Sequence, residues 1–86
     1  MFITKAIAAE RLGAYLRHEL SLEELIDWAE HGLMDGEFPE DEADGLAEAL
    51  ARLGLADVRN FGLSWEDCEA LLQRLGYRAR VEIYSE

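Results

Sequence analysis

Apolar residues recur at steps of three and four along four segments of the 86-residue chain. This spacing places side chains on one face of an α-helix, which has 3.6 residues per turn. We therefore predict four amphipathic helices. Their inward-facing residues are Phe2, Ala6, Ala9, Leu12 and Leu16; Leu22, Leu25, Ile26, Ala29 and Leu33; Ala43, Leu46, Ala47, Leu50 and Leu53; and Cys68, Leu71, Leu72 and Leu75.

Local signals predict where these helices begin and end. The first is expected over about residues 3–18. Ser21 and Ser64 each stand three residues before an acid, the spacing of a capping box, and predict the starts of helices 2 and 4. Pro39 suits the first turn of helix 3, where its missing N–H loses no partner. Glycines predict the helix ends, at Gly32 or Gly36, at Gly54 and at Gly76.

The last residues change from a helical period to an alternating one. The apolar set Tyr77, Ala79, Val81 and Ile83 alternates with Arg78, Arg80, Glu82 and Tyr84. This pattern is typical of a β-strand with one apolar face. Because a single strand cannot satisfy its own backbone, it must pair internally, with residues near 56–61 or with Phe2 and Ile3, or else with a second copy or a partner protein. Residues 56–62 fit a helical turn or an extended piece equally well.

The predicted fold is therefore mostly α: a compact bundle of about four short helices with one C-terminal β-strand, paired internally or across a dimer. The length fits a single domain over residues 1–86. With no run of about 18 apolar residues and no signal-peptide pattern, we expect neither a membrane span nor secretion. The lone cysteine, Cys68, suits a reducing, cytoplasmic setting.

Charge separates along the chain in a way that changes the picture. The net charge is −11, which disfavours nucleic acid and anionic membranes as ligands because both would be repelled. The segment from His18 to Ala51 contains no Lys or Arg. It holds twelve of the nineteen acids: Glu19, Glu23, Glu24, Asp27, Glu30, Asp35, Glu37, Glu40, Asp41, Glu42, Asp44 and Glu48.

Two sets of these acids have helical spacing. Glu23, Asp27 and Glu30 follow i, i+4, i+7 on helix 2, and Asp41, Asp44 and Glu48 follow i, i+3, i+7 on helix 3. Like charges at such spacings destabilise a helix by about 0.2–0.5 kcal/mol per pair. A cationic partner would explain why they are present, whereas the alternative is a solvated surface that only maintains solubility. Trp28 and Phe38 are the candidate aromatic anchors beside these ridges.

Catalytic and metal-binding chemistry has little support in the residues. Glu40, Glu42, Asp44 and Gly45 imitate part of an EF-hand loop, but its twelfth position is Ala51 rather than a bidentate Glu. His18 and His31 have no cysteine at zinc-ligand spacing. Cys68 falls in the first turn of helix 4, where a thiolate is favoured, but it is also expected to pack as a hydrophobe. We predict no metal, no cofactor and no enzymatic activity.

The preferred hypothesis is a non-enzymatic module that binds a basic protein partner through the face formed by helix 2, the loop and helix 3. The predicted contact residues are Glu23, Asp27, Glu30, Asp41, Asp44, Glu48, Trp28 and Phe38. In charge and size the chain is similar to small acidic helical inhibitors, such as immunity proteins and antitoxins. The alternatives are a structural homodimer or assembly subunit joined through the C-terminal strand, and a small enzyme that uses a carboxylate or Cys68.

Overall fold

The computed structural model describes residues 1–56, 62–79 and 83, and these contain four α-helices. The helices are α1 (Lys5–Leu16), α2 (Leu22–Asp35), α3 (Ala43–Gly54) and α4 (Trp65–Arg74). The mostly helical prediction is therefore confirmed. None of the four is both long and apolar enough to cross a membrane, as far as the described residues show.

The predicted C-terminal strand is not confirmed. Residues 77–79 and Ile83 adopt no strand, and Ile83 is 93% exposed. The other positions of the predicted strand, 80–82 and 84, lie outside the described residues, as do 57–61 of the ambiguous connection. Ala56 and Gly62, at its two ends, are not helical.

Capping boxes start α2 and α4 as the sequence predicts. The hydroxyl of Ser21 accepts the Glu24 N–H at 3.1 Å, and the Glu24 carboxylate accepts the Ser21 N–H at 3.1 Å. Ser64 and Asp67 make the same exchange at 3.1 and 2.9 Å. These bonds satisfy amides that have no partner within the helix.

Schellman motifs end α1 and α4. Tyr77 N–H donates to Leu72 O at 2.8 Å across Gly76, whose φ is +90°. The same pattern closes α1, where Glu19 N–H donates to Ala14 O at 2.9 Å. There the left-handed position is His18, with φ +64°, although such positions favour glycine.

The core joins all four helices. α2 and α3 form the largest helix–helix interface, α1 packs against α2 and α4, and α4 also packs against α3. No polar or charged residue of the described chain is buried. The inward faces of α2, α3 and α4 are largely as predicted, and the buried cluster consists of Ile3, Ala8, Leu12, Leu25, Ala29, Leu46, Ala49, Leu50, Leu53, Cys68, Leu71, Leu72 and Leu75.

The N-terminal segment differs from the prediction. α1 begins at Lys5, and Phe2 and Ala6, both predicted to face inward, are exposed. Phe2 instead forms a parallel β-bridge with Glu37. Ile3 is buried over Gly32, where an added Cβ would lie 2.7 Å from Ile3 Cδ1. Glycine at this position therefore lets the N-terminal segment lie directly on α2.

Helix α3 begins later than Pro39 predicts, at Ala43. Its N-cap residue, Glu42, makes no side-chain hydrogen bond to its own helix. The Glu42 carboxylate accepts the backbone N–H of Lys5 at 2.7 Å instead. One acid of the connection therefore caps α1, which lies 37 residues away in the sequence, and locks α1 against the start of α3.

Candidate protein-interaction surface

The outward side of α2 carries the first predicted ridge intact. Glu23, Asp27 and Glu30 are all exposed, and none of them forms an ion pair within 4.0 Å in the described part of the chain. Capping by Ser21 sets the start of α2, and burial of Leu25 and Ala29 sets its rotation, which turns these carboxylates toward solvent. We call Glu23, Asp27 and Glu30 the α2 ridge.

The second predicted ridge is only partly present. Asp41 precedes α3, so it does not share a helical face with Asp44 and Glu48. Asp41 and Asp44 are exposed, but Glu48 Oε2 pairs with Arg74 Nη1 of α4 at 2.7 Å. Glu48 therefore has a cationic partner within the molecule, which the sequence reading did not anticipate.

The two predicted acidic sets lie at different positions along the hairpin of α2 and α3. An added Cβ at Gly54 would lie 3.7 Å from Glu30 Cγ, which puts the α2 ridge beside the C-terminal end of α3. Asp44 lies ten residues earlier, or about 15 Å along the axis at 1.5 Å per residue. The structure therefore does not bring Asp41 and Asp44 beside Glu30. The α2 ridge is the better-supported candidate for a binding surface.

Several other acids of the segment are used inside the molecule. Of the twelve, four accept a hydrogen bond from a described residue: Glu19, Glu24, Glu42 and Glu48. Hydrogen bonds from Ser21 lower the pKa of Glu24, and the hydrogen bond and charge of Arg17 lower the pKa of Glu19. These four carboxylates stabilise caps and helix contacts, so the charge free for an external partner is smaller than the sequence suggests.

The two predicted aromatic anchors are half-buried. Phe38 and Trp28 both pack against the core. Trp28 is also covered by Arg11, whose guanidinium carbon is 5.5 Å from the ring centroid, a cation–π distance. Both rings are therefore only partly available to a partner, and Trp28 already has a cationic neighbour.

An exposed apolar residue that the sequence reading missed extends the α2 ridge. Met34 follows Glu30 by four residues, so Glu23, Asp27, Glu30 and Met34 continue one helical period, and its side chain is 80% exposed. Leu33, predicted to face inward, is 42% exposed, and Leu55, the residue that follows α3, is 60% exposed. The helical spacing of Glu23, Asp27 and Glu30 could have predicted that Met34 lies on the same exposed face. A search for charged residues alone does not include methionine.

Cys68 and His31 are the residues with the potential for catalysis or metal binding. Cys68 is completely buried, and desolvation together with the neighbouring Asp67 raises the pKa of its thiol to about 11. Since only the thiolate is strongly nucleophilic, this environment disfavours reactivity. His31 Nδ1 lies 2.8 Å from the backbone oxygen of Asp27. Across residues 1–56, 62–79 and 83, no three His, Cys, Asp or Glu side chains converge as metal ligands would.

Comparison with known proteins gives no relative: no family model, curated protein or solved structure matches this chain. Function is therefore inferred from the molecule itself. Its most distinctive described surface is a solvent-exposed row of carboxylates on α2 that ends in an exposed methionine.

Proposed function

We propose that this protein is a non-enzymatic interaction module that binds a cationic surface of another protein, in the manner of an inhibitor, immunity protein or antitoxin. The observation that carries the proposal is the α2 ridge, which is exposed and lacks an ion-pair partner in the described part of the chain. Glu23, Asp27 and Glu30 are the contact residues. Asp41 and Asp44 form a second negative area toward the start of α3.

The acids of α2 lower the stability of the isolated helix, and this cost supports a function for the ridge. α2 carries five carboxylates and no Lys or Arg, and its last turn has no basic residue. Asp35 stands at the negative end of the helix dipole, where a cation would stabilise the helix by about 0.3–1 kcal/mol. The fold could satisfy this face with its own bases, as α3 does through Glu48 and Arg74. A basic partner would remove the same repulsion.

Such a surface acts mainly on partner choice and on the rate of association. Complementary potentials steer diffusing partners together and repel proteins of like charge. Because exposed charges are screened over about 8–10 Å at ordinary ionic strength, association should slow as salt is added. Affinity then depends on the apolar groups that are covered near the charges.

Matched charge reversals test the proposal. The double variant Asp27→Lys with Glu30→Lys changes the ridge, and Glu66→Lys with Glu69→Lys makes the same change in α4. Each reversal adds two charges, so the net charge moves from −11 to −7 in both proteins. The immobilised proteins are then used to capture partners from a lysate of the source cells, and any captured basic protein is purified and its binding measured directly.

We expect the wild type and the α4 variant to bind the same basic protein, with an affinity that falls as salt is added, and the ridge variant to lose it. Equal loss in the two variants would mean that only net charge matters. Undiminished binding by the ridge variant would mean that the α2 ridge is not the contact surface. Either result contradicts the proposal.

A further inference from the structure

The described surface of the hairpin places exposed apolar residues near one ridge carboxylate, that of Glu30. Met34 lies one turn after Glu30 on the same face of α2 and is 80% exposed. Toward α3, Glu30 Cγ would be 3.7 Å from an added Cβ at Gly54. The next residue, Leu55, is 60% exposed.

Exposure on α3 extends this apolar region. Ala51 lies one turn before Leu55, on the same face, and is also exposed. Glu30 therefore lies beside the end of α3, where Ala51 and Leu55 are exposed. Toward the start of α2 the surface becomes purely acidic, at Asp27 and Glu23.

This arrangement differs from a purely solvated acidic surface. A row of carboxylates that serves only solubility gains nothing from exposed leucine and methionine beside it. An apolar centre next to charged groups is instead the usual composition of a binding hot spot, where water is excluded around a few anchors. Methionine is well suited to this role because its flexible, polarizable side chain adapts to varied partners.

We infer that the bound segment of the partner is an amphipathic basic helix whose apolar side chains cover Met34 and Leu55 and whose arginine pairs with Glu30. This inference rests on the proposed function and specifies the chemistry of its partner. Glu23 and Met34 are eleven positions apart, or about 16 Å along the helix axis, a length that three turns of a docked helix would match.

Charge complementarity selects this occupant over an acidic or neutral one. Five carboxylates on α2 attract a basic segment, and the apolar groups require that the segment also carry exposed hydrophobic residues. Arginine is preferred to lysine opposite Glu30 because its guanidinium is weakly hydrated, tolerates apolar neighbours and can bind a carboxylate with two parallel hydrogen bonds.

Three synthetic helical peptides test the inference. The first carries leucines on one face flanked by arginines, the second has the same composition in scrambled order, and the third replaces each arginine with lysine. Binding is measured for the wild type, for Met34→Gln, for Leu55→Gln and for Glu30→Gln. Ile7→Gln is the control because Ile7 is also exposed, at 37%, but lies on α1.

We expect the amphipathic arginine peptide to bind the wild type about tenfold more tightly than the scrambled one, a difference typical of one or two hot-spot contacts. Met34→Gln and Leu55→Gln should each reduce that preference, and Ile7→Gln should leave it unchanged. Glu30→Gln should abolish the preference for arginine over lysine. Circular dichroism of each variant verifies that it is folded.

Equal binding of the amphipathic and scrambled peptides would overturn the inference while leaving charge-driven binding, and so the proposed function, intact. Failure of all three peptides to bind would overturn it as well. Dimerisation of the wild type that Met34→Gln prevents would show that a second copy covers this face, which also contradicts it. Failure of the proposed function is a separate result, read from the capture experiment with the ridge variant.

Discussion

Reversing the charge of Glu30 should make the isolated protein more stable. Its nearest like-charged neighbour on α2 is Asp27, three residues earlier, and such a pair costs about 0.2–0.5 kcal/mol. Glu30→Lys removes this repulsion and replaces it with an attraction of similar size, so we expect a gain of about 0.4–1 kcal/mol. The aliphatic part of lysine can still lie against Gly54, as the stem of Glu30 does.

The same substitution on α4 should have little net effect. Glu66 is in the first turn of α4, where a carboxylate complements the helix dipole, so Glu66→Lys should lose about 0.3–1 kcal/mol. Relief of the repulsion between Glu66 and Glu69, three residues later, should offset most of this loss. Both changes make the net charge less negative by the same amount, and the pair therefore separates local from global electrostatics. For a domain of this size, 1 kcal/mol corresponds to roughly 4–8 °C in Tm.

Urea unfolding followed by circular dichroism measures both free energies of unfolding. At low salt Glu30→Lys should be more stable than the wild type and Glu66→Lys should lie close to it, both with unchanged m-values. In about 1 M NaCl the gain of Glu30→Lys should shrink because the Debye length falls to about 3 Å. If Glu30→Lys destabilises the protein at low salt, Glu30 has a structural role. The ridge would then not be retained at a cost to stability for the sake of a partner.

Three further predictions concern the frame that holds this surface. His18→Gly should raise stability by about 0.5–1 kcal/mol because His18 has a left-handed φ, and Gly76→Ala should lower it by a similar amount in the matching motif of α4; thermal unfolding of both variants checks this. Hydrogen bonds from Ser21 and Ser64 lower the pKa values of the capping carboxylates of Glu24 and Asp67. Their contribution to folding stability is therefore complete above the unfolded-state pKa and should be lost as the pH falls through the lower folded-state pKa. Unfolding curves at about pH 2 to 6, compared with those of Asp67→Asn, should show this loss. Cys68 should resist iodoacetamide at about pH 8 in the folded protein and react after denaturation, since burial raises its pKa to about 11; rapid labelling of the folded protein would contradict the described burial.

Local signals in the sequence determined the start of two helices and the inward face of α4. Ser21 and Ser64 cap their helices through residues only three positions away, so neither bond depends on how the chain folds at long range. The same holds for the Schellman end at Gly76. The α2 ridge was also predictable, because the rotation of an amphipathic helix follows from its own apolar stripe.

Contacts between distant segments decided the rest. Glu42 caps α1 and Glu48 pairs with Arg74, and the partners lie 37 and 26 residues away. No local pattern distinguishes Glu42 and Glu48 from Glu30. Glu42 and Glu48 nevertheless have hydrogen-bond partners within the molecule, whereas Glu30 has none among the described residues. The N-terminal residues are a further case. Phe2 pairs with Glu37 in a β-bridge, and Ile3 is buried against Gly32, so α1 begins only at Lys5.

What the sequence established by itself is therefore the four described helices, the starts of α2 and α4, and the negative sign of the middle segment. Only the tertiary structure decided which carboxylates have partners within the molecule. It also decided which apolar side chains remain exposed near the carboxylates that have none. The reason is physical: hydrogen-bond caps and helical periodicity are set by residues within one or two turns, whereas the pairing and burial of a charge depend on whichever distant helix packs next to it.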